Sequence, residues 1–171
     1  MKAPHCLAAF CLLVAAPAGA QQVTFQDVLL DKFVGTWVLE GTMAGGKVVH
    51  DIEAEWVLGH QYLRIHEIAR EVDAEGAPAY EAIVFIGWDD RVDQYTNLWL
   101  DVTGAGGLNG EGIGRADKRD DELAFFFVFP DGSPWHTTFT YDRADDSWRW
   151  HMEGEPRGAA EPFTLARMTR R

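Results

Sequence analysis

The chain has 171 residues, 47% of them apolar, and its 27 acidic against 15 basic residues give a net charge of −12. That balance leaves no basic patch on which nucleic acid or an anionic membrane surface would dock, so neither is an expected partner. The length suits one domain with one sizeable core.

The first twenty residues read as a leader. Met1-Lys2 is a short positive start, Cys6 to Ala16 is apolar, and Ala18-Gly19-Ala20 has the small residues of a signal peptidase site. Cleavage after Ala20 is expected, with a periplasmic or secreted product and residues 21–171 as a single domain. Cys11 follows Ala8-Ala9-Phe10, and this phenylalanine stands where a lipid-attachment motif needs a small residue. Both cysteines, Cys6 and Cys11, fall in the leader, so the mature chain has no disulfide, thiolate nucleophile or cysteine metal ligand. Beyond it, no apolar run approaches the ~20 residues that span a bilayer as a helix.

Thr24-Phe25-Gln26-Asp27 has the spacing of a capping box, and Phe25, Val28 and Leu29 recur with helical period, which predicts a short helix over 24–32. From Phe33 onward the pattern is that of strands, ten in all: 33–43, 47–58, 61–72, 79–88, 94–102, 108–116, 122–129, 135–141, 147–153 and 162–169. Turn-forming residues separate them, among them Gly45-Gly46, Asp89-Asp90, Asp131-Gly132 and Asp145-Asp146. Pro78, Pro130, Pro134, Pro156 and Pro162 all fall in turns or at strand starts.

Two hairpins fix their own register. With Gly59-His60 as a two-residue turn, Leu58 faces Gln61, Glu55 faces Arg64 and Glu53 faces His66 on a wet side. Trp56 then faces Leu63 and Ala54 faces Ile65 on a dry one. Closing the chain across Asp142 to Ser147 sets Tyr141, Phe139 and Thr137 against Trp148, Trp150 and Met152, with His136 opposite Glu153 and Thr140 opposite Arg149 on the wet side. Short antiparallel connections and ten consecutive strands predict an all-β, up-and-down barrel, since closure removes exposed edges. Ten strands enclose more room than the eight that just accommodate packed side chains or one small ligand. Residues 79 to 101 are apolar on both faces, so alternation assigns neither one inward.

Phe33-Val34-Gly35-Thr36-Trp37, after a short helix, resembles the Gly-x-Trp opening of calycin barrels, the lipocalins and fatty-acid-binding proteins. Trp56 to Leu63, Ile86-Gly87-Trp88-Asp89, Tyr95 to Asp101, Gly112-Ile113-Gly114 and the closing Arg167 to Arg171 resemble a bacterial domain-of-unknown-function family, number 1579, over roughly residues 26 to 170. Here the hairpin turn is Gly-His where many members have Gly-Gly, and Gly-Trp-Asp stands for Gly-Tyr-Asp. The resemblance implies a lipocalin-like barrel and brings no catalytic residues.

Two polar residues break the dry face of the first hairpin. His50, opposite Ala69, and Glu67, opposite Ile52, both project inward and lie diagonally two places apart. A few convergent polar groups in an apolar pocket orient a ligand, and the same pair is the candidate acid and base of an isomerase or hydrolase. His50 is also the one inward histidine for an axial position in a nitrobindin-like haem barrel. His66, His136 and His151 fall outside as cross-strand polar pairs. No histidines have metal-site spacing on one strand or helix, so no metal is expected. The carboxylate clusters Asp89-Asp90-Asp93, Asp120-Asp121-Glu122 and Asp142-Asp145-Asp146 match no EF-hand and sit at turns. Ser133 and Ser147 lie in no nucleophile elbow, and the glycines at 104, 106, 107, 110, 112 and 114 open no helix that would cradle phosphate. They suit a thin strand where the barrel bends or a ligand approaches. The bulk facing inward comes from Trp37, Trp56, Phe125, Phe127, Phe139 and Trp150. With His50 and Glu67, these are the candidate ligand-binding residues for a small apolar or amphipathic molecule. No residue is assigned a catalytic role and no cofactor is expected.

Overall fold

The structure, a computed structural model, describes residues 24–104, 112–129, 131–155 and 162–171. The leader with its expected cleavage point, part of the sixth predicted strand and glycines 106, 107 and 110 lie outside these residues.

The elements are α1 (Val28–Asp31), β1 (Gly35–Met43), β2 (Gly46–Val57), β3 (Tyr62–Ala69), β4 (Glu81–Asp89), β5 (Gln94–Asp101), β6 (Ile113–Ala116), β7 (Glu122–Val128), β8 (Pro134–Asp142), β9 (Ser147–Gly154) and β10 (Thr164–Arg170). Each strand pairs antiparallel with the next, and β10 pairs back onto β1, with Trp37 opposite Arg170 and Met43 opposite Thr164, to close the barrel. The predicted ten-strand meander is thus the observed fold. Among the described residues no helix is long and apolar enough to cross a membrane.

The helix is shorter than its pattern suggests, and its cap is not Thr24. Asp27 is the N-cap, its Oδ1 accepting the backbone N–H of Leu29 and of Leu30, each at 2.9 Å. Thr24 instead accepts from Gln26 Nε2 at 3.3 Å. A carboxylate that satisfies two orphan donors starts a helix wherever it sits. Here it starts late enough that one turn remains.

The ladder of the first hairpin pairs Ala54 with Ile65, Glu55 with Arg64 and Trp56 with Leu63, as its charges and bulk require, but ends at Val57–Tyr62. The turn is therefore a longer loop than the expected Gly59-His60 pair, with Gln61 N donating to Val57 O at 3.2 Å. Leu58, Gly59 and His60 all take positive φ, at 51°, 67° and 67°. Such conformations cost a residue with a Cβ, and the His60 ring stacks on Trp56 at 4.1 Å. The β8–β9 register agrees pair for pair with the expected one. Its wet side is less wet than expected: Glu153, opposite His136 and 3.9 Å from His151 Nε2, is buried. His66, paired in register with Glu53, is bonded across the other seam to Glu81 at 2.6 Å.

Strand polarity defines two ends. The turns β2–β3, β4–β5, β6–β7 and β8–β9 gather at the end where α1 lies, and the remaining connections gather at the other. Phe33, directly after α1, stacks on Trp148 at 3.8 Å and meets Phe139 edge-on at 5.4 Å. Leu30, Phe33, Trp37, Leu39, Leu63, Ile86, Leu123 and Trp148 are wholly buried behind it. The helix end is closed. In β4 and β5, the register turns Ala82, Val84, Ile86, Tyr95, Asn97 and Trp99 inward, which resolves the strands that are apolar on both faces.

Candidate functional site

The site lies at the opposite end, where the packing stops. A cavity of about 540 Å³ opens there, walled by the ends of β1, β2, β3, β5, β7, β8 and β9 and by the loops beyond them. That volume falls within the range of small-molecule pockets. A larger groove of about 690 Å³ beside α1 is a weaker candidate. Three of its cations are already engaged, Lys118 with Asp27, Arg119 with Glu122 and Arg143 with Asp121.

The register of β2 and β3 sends His50 and Glu67 inward from adjacent strands, and they meet: His50 Nδ1 lies 2.5 Å from Glu67 Oε1, each side chain only 3% exposed. Burying this pair away from water is costly unless both groups bond well. Burial raises the Glu67 carboxyl above its ordinary range, and the bond to His50 offsets that only partly. The two residues stand in sequence from the mouth down into the barrel. His50 lines the cavity, whereas Glu67 faces a void of about 10 Å³ beneath it, among Ile52, Ile65, Val84 and Trp99, with room for about one water. Glu67 therefore holds the imidazole by Nδ1, which leaves Nε2 as the ring nitrogen on the cavity side. An imidazole so oriented can bind an acceptor or pass a proton at Nε2.

Tyr80 shares this floor. Its ring lies 5.8 Å from that of His50 at 22° between planes. Its hydroxyl accepts from Trp99 Nε1 at 3.2 Å and donates to Asp101 Oδ2 at 3.4 Å. Burial, reinforced by the negative charges of Glu67 and Asp101, pushes the phenol above its usual range, so it stays protonated. Above lie aromatic walls. Trp99 and Trp150 are 5.6 Å apart, and Trp135 sits 5.8 Å from Phe129 and 5.3 Å from Phe163.

Of the residues the sequence singled out, His50, Phe127 and Trp150 line this cavity. Glu67, Phe139 and again Trp150 line the void below. Trp37 is wholly buried, with its Nε1 on Phe33 O at 2.7 Å and the Arg170 guanidinium over its ring at 3.9 Å. Trp56 donates to Asp31 at 2.8 Å at the helix end, and Phe125 belongs to the packed interior. These last three hold the barrel together and stand apart from the cavity.

Sequence reasoning missed Tyr80, Trp99, Asp101 and Trp135. Trp135 was within reach, because it continues the dry face of Thr137 and Phe139 by one more alternate residue, opposite Gly154. Tyr80, Trp99 and Asp101 fall in or beside the strands that are apolar on both faces.

The donor set fits a haem poorly. Among the described residues no lysine or arginine lines the cavity to pair with propionates, Glu71 and Asp101 would repel them, and the Tyr80 ring lies against His50. The carboxylate clusters hold turns by ordinary pairing. Asp89, for example, is bound by Arg91 and held down at about 2, while Asp146 binds Arg170 at 2.8 Å. No group of three or more His, Cys, Asp or Glu residues suited to a metal occurs among the described residues. No family model matches the chain, and no curated protein matches it at a significant level of similarity.

Proposed function

We propose that this protein is a secreted or periplasmic barrel that binds a small apolar or amphipathic molecule in its open end, with His50 as the polar group that orients it. The observation that carries this reading is the mouth cavity of about 540 Å³ with apolar and aromatic walls and a nearly buried imidazole, backed by Glu67, at its floor. Burying an apolar ligand there yields about 25 cal/mol per Å² removed from water, and His50 Nε2 fixes which end goes in. The signal-like leader supports export, and the resemblance to domain-of-unknown-function family 1579 supports a lipocalin-like relationship. Native mass spectrometry of the purified protein, released gently and then denatured, tests the reading. A bound small molecule lost on denaturation is the expected result; a protein that carries none and takes up no apolar probe contradicts it.

The orientation of His50 by Glu67 also favours a second reading, an acid-base enzyme of isomerase or hydrolase type acting at Nε2. If a turnover is detected with any ligand so identified, Glu67→Gln and His50→Ala should each lower it on the order of a hundredfold. Unchanged turnover in both variants removes this reading and leaves binding intact.

A further inference from the structure

The cavity has a charge preference that its aromatic walls conceal. Its lining includes two carboxylates, Glu71 and Asp101, and among the described residues not one lysine or arginine. Lys47 and Arg70 each adjoin a lining residue in sequence, Val48 and Glu71, yet neither lines the cavity. Arg70 is turned outward and doubly bonded to Asp51, at 2.7 and 3.0 Å. The one histidine of the lining, His50, has its Nδ1 already taken by Glu67 at 2.5 Å. A carboxylate ligand would therefore shed its water with no counter-ion among the described residues to meet it, which is costly in a walled site. A positive head meets the reverse situation. Trp99, Trp135, Trp150 and Tyr80 line it with the electron-rich rings that attract ammonium groups, and Asp101 stands beside Tyr80 at the same wall. Burial is the main reason the Tyr80 phenol is raised, and the negative charge that adds to it has the matching sign. The net charge of −12 draws cations toward the whole molecule.

Resting on the binding reading above, we infer that the mouth cavity takes an amphiphilic organic cation, an alkyl- or arylammonium whose tail packs among the aromatic rings and whose head is balanced by Asp101 and Glu71, in preference to an anion of the same shape.

The test uses three probes with one tail and different heads, decyltrimethylammonium, decanol and decanoate, titrated into the intact protein at neutral pH by tryptophan fluorescence and calorimetry. The expected result is saturable binding with the ammonium at least tenfold tighter than the carboxylate and the alcohol between them. Asp101→Asn with Glu71→Gln should narrow that gap at least threefold, while Asp90→Asn, in the β4–β5 turn at the far end, leaves it unchanged. Decanoate binding as tightly as the ammonium, or a gap that narrows equally in the Asp90→Asn protein, overturns the inference but leaves the cavity as a binding site. Failure of all three probes to bind overturns the binding reading as well. Should the double variant fold poorly, Asp101→Asn alone carries the same comparison at about half the effect.

Discussion

The two ends of this barrel are built from the same residue types and do opposite things with them. At the helix end, Phe33 stacks on Trp148, Trp37 Nε1 donates to Phe33 O, and Arg170 reaches Val34 O at 2.7 Å and Lys32 O at 3.2 Å. Asp27 is shared by the helix N-terminus, Tyr95 at 2.6 Å and Lys118 at 3.2 Å. Aromatic rings and polar groups there find partners within the chain. At the mouth, Trp135 meets Phe129 and Phe163 at the rim of the cavity, and His50 turns toward the same opening. Packing completed inside the protein yields stability, whereas packing left incomplete yields a binding surface.

The sharpest way to break this contrast is to truncate one ring at each end. Phe33→Ala should destabilise the protein by about 3–5 kcal/mol, the range for a buried phenylalanine, while Trp135→Ala, which removes a half-buried ring at the edge of the core, costs less, about 1–2 kcal/mol. Urea unfolding of the two variants reads the difference; equal losses would mean that the mouth is as tightly packed as the base. Asp27→Ala removes a cap and leaves a buried phenol unpaired, for a loss of about 2–3 kcal/mol. Tyr95→Phe in the same background should then cost nothing further, and additive losses would show that the two groups do not act together.

A subtler change links the core to the cavity. A Cβ on Gly114 would lie 2.5 Å from the Phe127 ring, and Phe127 lines the mouth. Gly114→Ala should cost only about 1–2 kcal/mol, because the ring can swing into the open space. The same swing weakens ligand binding, so a stability loss with unaltered binding would contradict this coupling.

The smallest effect is a pH slope. Folding raises the Glu67 carboxyl above its ordinary 4.5, so the folded protein holds that proton more tightly than the unfolded chain does. Stability from this source is whole below pH 4.5 and is lost as pH rises through the folded value. Glu67→Gln cannot release a proton, and its stability relative to the parent should improve from acid to neutral pH. Thermal unfolding of both across that span checks the sign, and a constant difference would show that Glu67 ionises normally.

Much of the barrel was legible because complementary residues leave few registers open. Glu55 with Arg64 and Trp56 with Leu63 allow one alignment of the first hairpin, and that alignment brought His50 and Glu67 to the same face. The distance between them was not legible. It depends on barrel curvature and on Tyr80, whose placement is set by the connection between β3 and β4. There, backbone bonds such as Ala79 N to Glu71 O at 2.8 Å fold residues 70–80 back on themselves, and no side-chain pattern announces them. The helix start differs from its pattern for a related reason: Thr24 and Asp27 both make good caps, and the bonds from Tyr95 and Lys118, both distant in sequence, single out Asp27. Trp99 stayed hidden because Leu98 and Leu100 beside it are equally apolar although they face outward.

The claim that the mouth is a binding cavity can be tested by filling it. Ala79 lines the opening and is exposed to solvent, so Ala79→Trp adds bulk there without straining the core. The parent protein should bind one equivalent of N-phenyl-1-naphthylamine with energy transfer from its tryptophans, and Ala79→Trp should weaken that binding at least tenfold at unchanged thermal stability. Undiminished binding by the filled variant would contradict the account.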